Sequence, residues 1–137
     1  MFKVSCDKVY TMEEIKNIPS TTLAFIGDAY FSLIVRTHTL NEKTAKPVIL
    51  HKMTTCYVNA EAQSKFLITL MPLLNQEEQD IVRRARNAPS NTKSKNYGLA
   101  EYKKATGLEA LFGYLYLTNQ QERINTFLKI LFLEDSK

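Results

Sequence analysis

The sequence has few residues that interrupt or cross-link a chain, and it has no long apolar run. Four glycines and four prolines occur in 137 residues, 45% of which are hydrophobic, and this balance favours a compact, ordered and helical chain. Cys6 and Cys56 are too few for a disulfide framework and lack metal-ligand spacing. No apolar run of about 18 residues is present, and the N-terminus lacks the pattern of a signal peptide. We therefore expect free thiols, no membrane span and a cytoplasmic location.

Length and hydrophobic periodicity predict one all-α domain over residues 1–137. Thr11 and Glu14 have capping-box spacing, so a short helix is expected to begin near Met12 and to end at Pro19. Asn75 and Glu78 form another capping pair at a helix start. No alternating strand pattern exceeds a few residues. Further helices are expected over residues 20–38, 47–70 and 75–86. A polar basic loop follows to about residue 97, and after it come a short helix to 104, the apolar segment 105–118 and a last helix over residues 120–133.

Positive charge is concentrated in one segment. The net charge of the chain is +4, but residues 81–104 alone carry seven cations against the single acid Glu101, a balance of +6 that leaves −2 for the remainder. Such clustering is typical of a surface that contacts nucleic acid or another polyanion. The seven cations are Arg83, Arg84, Arg86, Lys93, Lys95, Lys103 and Lys104.

Two carboxylates stand in apolar helical segments. Asp28 directly follows Gly27 in TTLAFIGDAYFSLIVR, and Glu109 lies in GLEALFGYLYL. Burying an unpaired carboxylate is costly, so each acid needs a donor, a cation or a metal as its partner. Small residues three and four positions away leave room for an ion with its waters. Two such acids on facing helices could hold Mg²⁺, which can activate a water and stabilise a phosphate in transition.

Simpler explanations exist for the same residues. A single acid on an apolar helix commonly lies at the edge of the apolar stripe, where water solvates it or an arginine pairs with it. Gly27 and Gly113 are typical of close contacts between helices. The segments 108–117 and 25–35 are apolar on nearly every side, so each needs burial either in an internal core or in a dimer interface.

Taken together, the motifs resemble those of the ribonuclease III family. LAFIGDAY is similar to the family's signature helix, whose pattern is roughly L-E-F-L-G-D, and TGLEALFGYLYL is similar to its second acidic helix. LHKMTTCYVNAEAQ and VRRARNAPSNTKSKN resemble, in order and spacing, the branch called Mini-ribonuclease III. The resemblance covers most of residues 23–118 and implies an all-α ribonuclease III endonuclease bundle that works as a homodimer. It also implies Mg²⁺-dependent cleavage of double-stranded RNA and, for this branch, processing of the bacterial precursor of large-subunit (23S) ribosomal RNA.

The family's functional residues can be placed residue by residue. Asp28 matches the signature aspartate and Glu109 the second-helix glutamate, so the resemblance makes both acids catalytic residues and metal ligands. Ala24 and Thr106 stand where the larger family has acids, a departure that Mini-ribonuclease III members share and that leaves the number of metal ions open. No double-stranded-RNA-binding domain is expected after the catalytic domain.

The catalytic domain must therefore supply the RNA contacts itself, through phosphates and 2′-hydroxyls. Arg83 and Arg86 share one helix face, whereas Arg84 points elsewhere and is expected to form an intramolecular ion pair. A ribosomal protein could present the substrate. The candidate contacts are Arg83, Arg84, Arg86, Lys93, Lys95, Lys103, His51 and Lys52.

Two other functions fit parts of the sequence. A non-catalytic RNA-binding module of the same fold would keep the basic segment but would be expected to lose one of the two acids. A helical metal-dependent hydrolase of small phosphorylated substrates would explain the acids but not the basic segment.

Overall fold

The computed structural model describes residues 8–89 and 98–135, and within these ranges the regular structure is helical throughout. The predicted all-α class is therefore confirmed. The predicted basic loop falls largely on residues 90–97, which lie outside the described residues together with its lysines Lys93 and Lys95. Cys6 also lies outside the described residues. The helices are α1 (Met12–Lys16), α2 (Ser20–Glu42), α3 (Pro47–Thr55), α4 (Ala60–Leu70), a 3₁₀ turn (Met71–Leu73), α5 (Gln76–Asn87), α6 (Leu99–Leu117) and α7 (Gln121–Asp135).

Both predicted capping boxes are present. The Thr11 hydroxyl accepts from the Glu14 amide at 3.1 Å, and the Glu14 carboxylate accepts from the Thr11 amide at 3.0 Å. Asn75 and Glu78 make the same reciprocal pair at 2.9 Å in each direction and begin α5. Such pairs satisfy amide groups that a helix start leaves without partners.

The helix expected over residues 47–70 is two helices, so that prediction is wrong. The Asn59 side chain accepts from the Ala62 amide at 2.8 Å, which caps α4, and it donates to the Thr55 carbonyl at 2.7 Å, close to the end of α3. The side chain of Asn59 thus hydrogen-bonds to backbone groups on both sides of the break, in place of the backbone hydrogen bonds of a continuous helix. The apolar spacing runs across the turn, and for this reason the pattern did not reveal it.

The opposite error occurs in α6, where a short helix and a following apolar segment were expected. The structure has one continuous helix, Leu99–Leu117, that passes through Gly107 and Gly113. α2, α4 and α5 all pack on α6, which is buried on every side over most of its C-terminal half. An internal core therefore accounts for the apolar segment 108–117, one of the two alternatives for that segment.

Polar anchors tie the outer helices to this core. Arg123 of α7 donates to both carboxylate oxygens of the fully buried Glu78, at 2.7 and 2.8 Å, and to the Leu73 carbonyl at 2.7 Å. This bidentate geometry satisfies a buried charge. Among the described residues no helix is long and apolar enough to cross a membrane, and Cys56 is an exposed free thiol.

Candidate active site

The two acids meet where α2 crosses α6, and two glycines make that crossing possible. A Cβ at Gly27 would overlap the backbone carbonyl of Glu109, and a Cβ at Gly113 would overlap the backbone carbonyl of Leu23. The two backbones are therefore in direct contact, which only glycine allows at these positions. The expectation that Gly27 and Gly113 mark a close helix contact is confirmed.

Asp28 and Glu109 flank this crossing and differ in their surroundings. Asp28 lies one residue after Gly27 and is exposed, so it does not stand inside the core as its apolar neighbours suggested. Glu109 is half-buried and hydrogen-bonds to Asp28 across the crossing. The structure thus brings together the two acids that the sequence singled out, 81 positions apart in the chain (from 28 to 109).

Burial raises the pKa of Glu109 to about 8, and the hydrogen bond to Asp28 and the charge of Asp28 add to this rise. Only the side-chain amide of Gln63, on α4, acts in the other direction and lowers the pKa of Glu109. At neutral pH Glu109 therefore keeps a proton that it donates to Asp28. A divalent cation in place of this proton would neutralise the charges of both carboxylates.

The donor set fits a hard divalent ion that keeps part of its water shell. The described residues contain no group of three or more His, Cys, Asp or Glu side chains arranged around one point, so two carboxylates are what the chain supplies here. Magnesium is commonly held by one or two carboxylates with waters and substrate phosphates as its other ligands. Ala24 is buried and the Thr106 hydroxyl donates to the Tyr102 carbonyl of its own helix at 3.0 Å, so neither adds an acidic ligand.

The arginines of α5 divide into two groups, as their helical spacing predicts. Arg83 is exposed and pairs with Asp80 at 2.9 Å, and the stem of Arg86 lies beside Gly107 of α6. Arg84 instead donates to the Ile18 carbonyl at 2.8 Å. An intramolecular role was expected for Arg84, but its partner is a neutral carbonyl and not the acid of an ion pair.

The other basic candidates lie at different distances from the acids. Lys103 is half-buried on α6, six residues before Glu109, which corresponds to about 9 Å along the helix axis. His51 and Lys52 are exposed on α3, where His51 and Arg36 line a cleft of about 310 Å³ between α2 and α3. Arg36 is eight residues beyond Asp28, or about 12 Å along α2, so this cleft is separate from the two acids.

Sequence reasoning missed Gln63. It is 4% exposed on α4, and its amide nitrogen has no hydrogen-bond partner among the described residues. A signal was present in the sequence, because Gln63 precedes Phe66, Leu67 and Leu70 by three, four and seven positions and so belongs to the buried face of the helix. A polar residue on such a face indicates a buried polar group that needs a partner.

Comparison with known proteins gives a consistent family assignment. The family model of the ribonuclease III domain matches residues 21–120. A Mini-ribonuclease 3 of Brevibacillus brevis is 47% identical over 116 residues, which cover 82% of this chain and 87% of the relative. A Mini-ribonuclease 3 of Clostridium tetani is 37% identical over 132 residues, covering 96% of this chain and 87% of the relative.

A solved structure supports the same assignment. The X-ray crystal structure of protein FN1578 from Fusobacterium nucleatum superposes with a TM-score of 0.79 at 31% identity, covering 88% of this chain and 97% of that one. The predicted resemblance to the ribonuclease III fold is therefore confirmed.

Proposed function

Because the chain belongs to the Mini-ribonuclease 3 branch of the ribonuclease III family and is an endoribonuclease, we propose that it hydrolyses double-stranded RNA at a Mg²⁺ site formed by Asp28 and Glu109. The family acts on double-stranded RNA, and its nucleases are generally dependent on a divalent metal. The single observation that carries the proposal is the meeting of the two acids across the glycine crossing of α2 and α6.

Asp28 and Glu109 have different roles in this mechanism. Exposed Asp28 faces solvent, from which an RNA phosphate can approach, and hydrogen-bonds to Glu109. Mg²⁺ held by these two carboxylates would supply Lewis acidity, which lowers the pKa of a water and stabilises charge on the phosphate oxygens. Glu109, fixed by the packing of α6, would provide the second carboxylate without reorganisation of the backbone.

The RNA duplex would be held by the basic side chains near the junction of α5 and α6. Arg83, Arg86 and Lys103 are the described members of this group, and Lys93 and Lys95 belong to the proposal although they lie outside the described residues. His51 and Lys52 would contact the duplex further along, beside the α2–α3 cleft. Arg84 is left out of the proposed interface, because its guanidinium is used on the Ile18 carbonyl.

We further propose a homodimer that forms through α2. Phe25 is 74% exposed and lies about one turn before Asp28 on the same side of α2, and Leu33, about two turns after Phe25, is 61% exposed. Exposed apolar side chains on one helix face are characteristic of association surfaces. One acidic pair cuts one strand, so a two-fold pair of chains would be needed to cut both strands of a duplex.

The substrate we propose is the precursor of large-subunit ribosomal RNA, cut in the cytoplasm by this catalytic domain with a ribosomal protein assisting presentation. The support is the branch to which the chain belongs and the concentration of charge in residues 81–104. Cleavage of precursor RNA should be compared with cleavage of a perfect duplex of unrelated sequence, each with and without ribosomal proteins. Equal rates on all four would contradict a preference for the precursor.

The first test of the proposed site is cleavage of a long RNA duplex by the wild-type protein and by Asp28→Asn. The proposal predicts cleavage with Mg²⁺, none with EDTA, and a loss of at least about 1,000-fold in Asp28→Asn with duplex binding retained. Glu61→Gln, which removes an exposed carboxylate paired with Lys65 on α4, is the matched control and should cleave normally. Binding without cleavage by the wild type would favour a non-catalytic module, and neither binding nor cleavage would favour a hydrolase of small phosphorylated substrates.

A further inference from the structure

The inference concerns Gln63, a polar residue buried in an otherwise apolar helix face. Its neighbours on that face of α4 are Phe66, Leu67 and Leu70, which are buried in the core. Gln63 is itself 4% exposed, and its side-chain nitrogen finds no acceptor among the described residues. A buried donor without a partner lowers stability, so in a native structure such a group needs an explanation, such as a role in a catalytic site or an ion-binding site.

The partner is adjacent. α4 packs on α6, and the Gln63 amide lies close enough to the Glu109 carboxyl group to influence it. In the structure the Glu109 carboxyl group hydrogen-bonds to Asp28, and the neighbouring side-chain nitrogen of Gln63 has no hydrogen-bond partner among the described residues.

We propose that Gln63 is a positioning residue for Glu109: its amide N–H donates to the Glu109 carboxylate when a divalent cation binds. Gln63 would thereby hold Glu109 in one orientation without touching the ion or the RNA. Ligand carboxylates in metal sites are commonly held by such outer hydrogen bonds, whose loss costs about 10- to 100-fold in affinity or activity. The inference rests on the proposed function, because it takes Glu109 to be a metal ligand.

The positioning role and a purely structural role predict different effects of an apolar replacement on stability and on metal binding, and the positioning role predicts the following. An apolar side chain of similar volume would fill the same space among Phe66, Leu67 and Leu70 without burying an unpaired donor. Such a replacement should leave the melting temperature unchanged or raise it. The same replacement should weaken metal binding, because the ionised Glu109 loses its donor.

The experiment uses Gln63→Met, which keeps the length of the side chain and removes the donor. Mn²⁺ binding, measured by electron paramagnetic resonance, should weaken by about 10- to 100-fold. Single-turnover cleavage should fall while the Kd for a duplex in EDTA stays unchanged. Ser64→Ala, on the next residue of α4 and also 4% exposed, is the matched control and should bind Mn²⁺ as the wild type does.

The outcomes separate the inference from the function on which it rests. Wild-type Mn²⁺ affinity and cleavage in Gln63→Met would overturn the role of Gln63, and a lowered melting temperature with equal losses in Gln63→Met and Ser64→Ala would show a structural role instead. If Gln63→Met does not fold, Gln63→Leu provides the same test with a stiffer side chain. A wild-type protein that neither binds Mn²⁺ nor cleaves RNA would instead contradict the proposed function.

Discussion

At the scale of single residues, Glu109 connects the chemistry of the site to the stability of the chain. Its pKa of about 8 in the folded chain lies far above its ordinary value of 4.5 because the carboxyl group is buried and donates to Asp28. Deprotonation therefore works against the folded metal-free state. A cation held at the proposed site would reverse this effect, since it would favour the charged carboxylate.

This difference predicts how the stability of the metal-free protein depends on pH. Between pH 4.5 and about 8 the folded state binds one proton that the unfolded state has released, so the free energy of unfolding should fall as pH rises and level off above about 8. Urea unfolding in EDTA across this range measures the effect. Glu109→Gln should remove this contribution to the slope, and a slope identical to that of the wild type would contradict the raised pKa.

Residue-scale features were unequally accessible from the sequence. Asp28 and Glu109 stood out because each interrupts an apolar pattern, and the proximity that helix spacing could only suggest is present in the structure. Gln63 was missed although its spacing to Phe66, Leu67 and Leu70 indicated the buried face of α4, because that spacing does not show whether the side-chain amide has a partner. Which polar groups lack a partner depends on tertiary packing, and no local pattern encodes it.

At the scale of helices, the crossing of α2 and α6 predicts an asymmetry between two glycines. Gly27→Ala should lower the free energy of unfolding by about 3 kcal/mol or more, because its Cβ would meet the rigid Glu109 carbonyl and force the helices apart. Gly107→Ala should stay within about 1 kcal/mol of the wild type, since its Cβ would lie 3.2 Å from side-chain carbons of Val82 and Arg86, which can move. Urea unfolding of both variants at one protein concentration tests this, and equal losses would contradict it.

The contacts of α5 predict different effects for the substitution of two of its arginines, Arg84 and Arg86. Arg86→Ala should weaken duplex binding and lower the salt slope of the affinity by about one, as expected for the loss of a phosphate contact. Arg84→Ala should leave that slope unchanged and cost about 1–3 kcal/mol of stability, because the Ile18 carbonyl loses its charged donor. Fluorescence anisotropy over a salt series, with urea unfolding of each variant, distinguishes them. A reduced salt slope of the duplex affinity in Arg84→Ala would show that Arg84 contacts the RNA.

The sequence predicted the existence of helices better than the points at which they end. Capping boxes at Thr11 and Asn75 located two helix starts because their hydrogen bonds are local. The break at Asn59 was missed because the apolar spacing runs through it, and the break expected near residue 104 is absent because α6 is buried on several sides and tolerates glycine. Helix starts with a reciprocal capping box were therefore predicted, whereas the break capped by the single residue Asn59 and the continuity of the buried helix α6 were not.

At the scale of the whole molecule, the exposed side of α2 predicts the state of assembly. Phe25→Ser should shift the proposed dimer toward monomer by at least about tenfold in Kd, since it removes a large apolar side chain from the association surface. Ile68→Ser, which changes a 53% exposed residue of α4, is the matched control and should leave assembly unchanged. Light scattering after size exclusion measures both. A wild-type protein that is monomeric at all concentrations would contradict the proposed dimer.

The glycine crossing also has a consequence for the order in which the proposed site forms during synthesis. Asp28 is translated early, but its partner Glu109 lies in a helix that is translated 81 residues later, and the two meet only after α6 has docked on α2. Because the two acids lie on either side of this late backbone contact, the proposed site would stay unformed, and the proposed cleavage absent, until α6 has been made and packed.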